Sequence, residues 1–151
     1  MVNIINNANL FAYQADMYVV PIDRSYNIVE EYAQDVSTLF PDAFNILQSG
    51  RSGKPFITNH DGFFSAYDKS SGAHLCFFPT EGWGNKLSRI ITLLNDLATA
   101  IKEDSRDISN KVFNVPCFGL TASDFEFNVK PVIMNLFGHE SFTINLFEPN
   151  G

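Results

Sequence analysis

The sequence predicts an α/β fold: one three-layer α/β/α domain over 1–151 with a mixed, mostly parallel sheet. Three observations predict it. The chain has 151 residues, 45% of them hydrophobic, which suffices for one core and is short for two domains. Short apolar runs alternate with segments of helical period. The runs are apolar throughout instead of alternating with polar residues, as strands covered on both faces require.

Met17 to Ile22 (MYVVPI) reads as a buried strand with Pro21 at its exit. Ile28, Val29, Tyr32, Ala33, Val36, Leu39 and Phe40 then recur at three- and four-residue spacing, giving a helix with one apolar face. Asp23 or Ser25 is the expected cap, and Glu30 and Glu31 suit the positive end of its dipole. Pro41 begins a second short helix ending near Gly50. Pro55–Asn59, Phe63–Tyr67 and His74–Phe78 are strand-like, divided by the turn-formers His60-Asp61-Gly62 and Lys69-Ser70-Ser71-Gly72. Leu87, Ile90, Ile91, Leu94, Leu97, Ala98 and Ile101 form the cleanest helical stripe. Val112–Val115 is a buried strand closed by Pro116, Val129 to Leu136 marks a last helix, and Phe142–Phe147 a last strand.

Composition excludes several classes of function. Seventeen acidic residues against ten basic give a formal charge of −7, and the cations are scattered, which argues against a nucleic-acid groove binder. No apolar run approaches the ~20 residues that span a bilayer, and no signal peptide opens the chain. Cys76 and Cys117 lack CxxC spacing and make no disulfide framework, so a cytoplasmic location is expected. His60, His74 and His139 stand apart, so neither a metal site nor a cofactor is expected. Cys76, inside a strand, reads as an inert core thiol. Gly50-Arg51-Ser52-Gly53-Lys54 lacks the full phosphate-loop pattern, with Pro55 where the magnesium-binding hydroxyl belongs. The fifteen Phe and five Tyr fill the core and leave one or two rings for stacking on a flat ligand.

Ligands of parallel sheets sit beyond the carboxyl ends of the strands, which directs attention to Asp23–Asn27, Pro79–Asn85 and Phe118–Phe125. Phe118-Gly119-Leu120-Thr121-Ala122-Ser123-Asp124 runs from strand to helix; its small residues allow backbone N–H groups to meet an anion, or Ser123 or Asp124 merely caps the helix. Pro79-Thr80-Glu81-Gly82-Trp83-Gly84-Asn85 either closes over a ligand or seals the sheet's end.

The order of elements and several strings resemble a macro domain, the module that binds ADP-ribose, and most closely the branch of terminal ADP-ribose glycohydrolases and macro antitoxins. Asn9-Leu10-Phe11 stands where the family has Gly-Asp-Leu-Phe, and Ala15-Asp16-Met17-Tyr18-Val19-Val20-Pro21 is similar to its "ADAIVNP" strand. Leu39-Phe40-Pro41 matches its "F-P". Val115-Pro116 with Phe118-Gly119-Leu120 resembles "PxxGxGL", and Ile144-Asn145-Leu146-Phe147 falls at the last strand. The resemblance implies that Asn9 accepts the adenine amino group, Leu10 backbone meets the ring edge and Phe147 stacks on its face. It also implies that Phe118, Gly119, Leu120, Thr121 and Ala122 cradle the diphosphate and distal ribose; Asp23 and Ser25, in the first carboxyl-end loop, are further candidate ligand-binding residues.

The sequence departs from that pattern at three places. The family's first glycine loop falls on Ile28-Val29-Glu30-Glu31, and no glycine lies between Pro21 and Pro41. Thr80 lies at or near the family's catalytic Lys, and Thr121 at its catalytic Asp, with Asp124 three residues on. A Lys–Asp mechanism is therefore absent, and binding of an ADP-ribose-type nucleotide, as reader or sequestering protein, is the leading expectation. The alternatives are a hydrolase of the same fold, with Thr80, Thr121 or Asp124 orienting a water, and a degenerate scaffold for a protein partner. The hydrolase would be an ADP-ribose-1″-phosphate phosphatase or an ADP-ribosyl glycohydrolase. Compact chains of this type also resemble phage-carried proteins acting on host ADP-ribose chemistry.

Overall fold

The computed structural model describes residues 1–6, 9–23, 25–49, 62–82, 84–104 and 108–149. The expected strand Pro55–Asn59, the His60-Asp61 turn, the Gly50–Lys54 fragment and Trp83 lie outside the described residues. Among the described residues, six strands form one sheet: β1 (Val2–Ile5), β2 (Met17–Asp23), β3 (Phe64–Tyr67), β4 (His74–Glu81), β5 (Val112–Val115) and β6 (Thr143–Phe147). Their order is β1-β6-β5-β2-β4-β3, parallel except for β3 against β4.

Helices cover both faces, giving the expected three layers. Alternate side chains of β2 divide the core: Met17 and Val19 face one cluster, Tyr18, Val20 and Ile22 the other. The first cluster is sealed by α3 (Lys86–Glu103) and, after the short α4 (Ala122–Asp124), by a π-helical turn (Phe125–Val129) and α5 (Lys130–Phe137). The second is sealed by α1 (Glu30–Leu39) and α2 (Pro41–Gln48), which place Tyr32, Val36, Ala43 and Leu47 against β2, β3 and β4. Most Phe rings are buried in these clusters; Phe127, in the π-helical turn, is 74% exposed. Cys76 is wholly buried, and desolvation pushes its thiol well up, as an inert core thiol requires. No helix among the described residues is long and apolar enough to cross a membrane.

Several local expectations need correction. Asp23 and Ser25 do not cap α1: the helix opens at Glu30 after Val29, with no side-chain cap. The Asp23 carboxylate instead accepts from the backbone N–H groups of Ser25 and Asn27, closing its own loop. Glu30 and Glu31 are both exposed. β2 runs one residue past the expected Ile22, to Asp23, and β4 runs past the expected Phe78 to Glu81. Pro21 is tolerated inside a central strand because β5 pairs with β2 only at Met17 and Tyr18, so no donor is needed there on that side. The edge strand β1 was not expected; its VNII run is short and gains its place by pairing with the last strand of the chain.

Among the described residues, no helix covers one half of the second face. There, Asn3, Asn145 and Asn114 stand abreast on β1, β6 and β5. Asn3 donates to Asn145 (3.2 Å) and Asn145 to Asn114 (3.0 Å). Asn114 donates to the carbonyls of Leu10 (3.0 Å) and Tyr13 (2.7 Å). The row thus satisfies its buried amides by docking the turn before β2, which covers the sheet in place of a helix.

Candidate functional site

The sheet opens at one place. β2 and β5 pair at Met17–Phe113 and Tyr18–Asn114 and then separate; beyond that point the chain after β2 turns back along it, Val29 N–H donating to the Pro21 carbonyl (3.2 Å) and Asp23 N–H to the Asn27 carbonyl (2.9 Å). Connections diverge here, since the chain passes from β2 to β3 and β4 on one side and to β5 and β6 on the other. Crevices at such a switch point are where open α/β sheets take ligands.

On the β5 side, the strand leads through Pro116 into the turn Cys117–Leu120, closed by Leu120 N–H donating to the Cys117 carbonyl at 3.2 Å. Phe118 (φ 59°) and Gly119 (φ 68°) are consecutive left-handed residues. For a side chain as large as Phe this conformation costs roughly 1–2 kcal/mol. Burial of Phe118 and its stacking on Phe78 offset that cost. Thr121, not Ser123 or Asp124, caps the following helix: its hydroxyl accepts from Asp124 N–H at 3.1 Å. Gly119, Thr121 and Ala122 are exposed and Leu120 is half-buried. The expected loop therefore presents backbone to solvent at the sheet's carboxyl end.

On the β4 side, the strand ends in an irregularity. Ile22 pairs with Pro79 but Asp23 with Glu81, so Thr80 is passed over as in a bulge. Thr80 is fully buried, and its hydroxyl has no hydrogen-bond partner among the described residues. Glu81 then accepts from Lys86 Nζ at 2.8 Å. Lys86 opens α3 after Asn85, whose side chain accepts from Ser88 N–H. The ammonium reaches across to the β5 loop: a Cβ placed on Gly119 would lie 3.3 Å from Lys86 Nζ. Sequence reasoning missed this cation, because 33 residues and a whole helix separate positions 86 and 119. Its one signal was a Lys in the first helical turn, where positive charge opposes the dipole.

At the other flank, Asn9 Oδ1 accepts from Phe11 N–H (2.8 Å) and Asn9 Nδ2 donates to Asp35 (3.3 Å). The expected acceptor is thus already partnered, with one carbonyl lone pair left over. Leu10 is buried, and its carbonyl is held by Asn114. Phe147 is also buried, 4% exposed, and meets Tyr13 edge-on at 5.8 Å. The ring with an accessible surface there is Tyr13, 43% exposed, which sequence reasoning also missed.

The candidate catalytic residues are not assembled into one constellation. Thr121 and Asp124 meet through the helix cap, and Asp124 Oδ1 also accepts from Asn128. Among the described hydrogen bonds, none joins Thr80 to either. Ser25 is exposed, and Asp23 is engaged by its own loop. No group of three His, Cys, Asp or Glu suited to a metal occurs among the described residues.

No protein-family profile and no curated protein sequence matches the chain. Its three-dimensional structure, however, is similar to the macrodomain of Thermus aquaticus DarG, with a TM-score of 0.71 over 99% of both chains at 17% identity. It is similar also to the macrodomain of Mycobacterium tuberculosis DarG, with a TM-score of 0.67 over 99% of both chains at 14% identity. A third likeness, to the alphavirus P23pro-zbd, has a TM-score of 0.59 at 10% identity and covers 97% of this chain but 22% of that one. A six-stranded mixed sheet between two helical layers, matched end to end by two macrodomains, gives this chain the macrodomain fold.

Proposed function

We propose that the chain binds ADP-ribose or a related ADP-ribose-containing nucleotide, as a reader of that group or a protein that sequesters it. The observation that carries this reading is the parting of β2 and β5 toward their carboxyl ends, with the left-handed Phe118-Gly119 turn following β5. A crevice bordered by exposed backbone suits a diphosphate, whose oxygens accept from N–H groups. The Asn9–Tyr13 turn, with Tyr13 beside Phe147, offers an aromatic surface and backbone groups at the flank, which suit an adenine. Turnover is not favoured. Thr121 is occupied as a helix cap, and among the described hydrogen bonds none joins Thr80 to Thr121 or Asp124.

Calorimetric titration with ADP-ribose tests the reading, followed by ADP-ribose-1″-phosphate with phosphate release monitored. Micromolar binding without release is expected. Absence of binding by either compound overturns the reading. Release of phosphate makes the chain a phosphatase and directs mutagenesis to Thr80, Thr121 and Asp124.

A further inference from the structure

The first turn of α3 is electrostatically unusual. It contains no acidic residue, and Lys86 is its first residue, with Arg89 three positions on. Positive charge at a helix N-terminus opposes the macrodipole, and the chain as a whole is acidic, so these cations are not placed for helix stability. Lys86 is partnered by Glu81, both side chains being about a third exposed at 29% and 32%. The same ammonium lies against Gly119, at the left-handed turn. Thr80, the residue before Glu81, holds a buried hydroxyl with no partner among the described residues.

We propose that Lys86 is the anion-holding cation of this site and that Glu81 is its resident competitor. Without ligand, the Glu81 carboxylate occupies the ammonium; a diphosphate docking on the Gly119 turn displaces it and takes the ammonium as its own counter-charge. The proposal rests on reading the crevice as a site for a diphosphate-bearing nucleotide, and it adds a built-in affinity setting. Carboxylate and diphosphate compete for one cation, so the free energy of the Lys86–Glu81 pair is subtracted from that of binding. Gly119 lacks a Cβ where the ammonium approaches, so no side chain separates Lys86 from the turn.

The experiment is a double-mutant cycle read by calorimetry with ADP-ribose and, separately, with inorganic pyrophosphate. Glu81→Gln is expected to tighten ADP-ribose binding roughly fivefold, and Lys86→Met to weaken it about tenfold or more. The double variant should bind like Lys86→Met alone, because Glu81 acts through Lys86. Lys86→Arg, which keeps the charge, should retain most of the affinity, and thermal melts should show all variants folded. Equal ADP-ribose affinity in wild type, Glu81→Gln and Lys86→Met overturns the inference and leaves the nucleotide reading standing. Weaker or unchanged binding by Glu81→Gln overturns the competitor role. Pyrophosphate binding that Glu81→Gln strengthens and Lys86→Met abolishes, without any ADP-ribose binding, upholds the inference and removes the nucleotide reading. Binding of neither ligand overturns both.

Discussion

Phe118 lies nearly parallel to Phe78, ring centroids 5.9 Å apart and planes 11° from parallel, while its own backbone is left-handed. The stack holds a strained turn in place at the mouth of the crevice. Removing the ring by Phe118→Ala is expected to cost about 3–5 kcal/mol. Phe118→Gly leaves the same cavity but relieves the positive φ, so it should be about 1 kcal/mol more stable than the alanine variant. Urea denaturation checks the order; alanine above glycine would mean the strain is not borne there.

Asn114 is fully buried and is the member of the asparagine row that touches the Leu10–Tyr13 turn. Asn114→Leu leaves two carbonyls without their donor and is expected to cost about 1–3 kcal/mol for each. Asn114→Asp should be worse, since a buried carboxylate would face the two carbonyls it formerly donated to. Denaturation gives the ranking, and faster amide exchange in residues 10–13 is the expected local sign.

Asp68 joins the β3–β4 turn to α2. Its buried carboxylate accepts from the N–H groups of Asp42, Ala43 and Ser71 and from the Ser71 hydroxyl. Asp68→Ala removes the cap of α2 and the clamp of the turn together, and a loss of about 3 kcal/mol is expected by denaturation. Asp68→Asn, which keeps one acceptor oxygen, should lose less.

Asp23 supplies a pH-dependent term. Its carboxyl lies below the ordinary value of 3.8, chiefly because it accepts from Asn27 N–H, with Ser25 N–H and the Asn27 side chain adding to the effect. A folded value below the unfolded one stabilises fully above pH ~4 and is lost as pH falls through the lowered native value. Asp23→Asn should therefore melt below wild type at pH 7, and the two melting temperatures should converge as the pH falls through the lowered native value. A constant difference across that range would show that the charge contributes nothing.

The layers were legible because burial on both faces leaves unbroken apolar runs. Val112–Val115 matches its strand, and the Leu87–Ile101 stripe lies within α3. The end of β4 was not legible, because Pro79 signals termination locally while pairing with β2 carries on past it. Of the candidate site, the Phe118–Ala122 loop could be read from its composition and its place after a strand. Lys86 could not, since its nearness to Gly119 comes from the return of α3 over the sheet. Thr121, Ser123 and Asp124 are equally suitable cap residues by composition, and the path of the backbone makes Thr121 the cap.

The asparagine row has a consequence for how the edge of the sheet assembles. β1 has four residues, all half-buried, and a strand so short and so even in burial has little in its apolar pattern to fix its alignment. A slip of one residue would place Asn3 on the opposite face and strand the amide of Asn145 without its neighbour. The cross-strand amide contact between Asn3 and Asn145 thus works as an indexing notch: it penalises misalignment of the first strand against the last, two segments that meet from opposite ends of the chain.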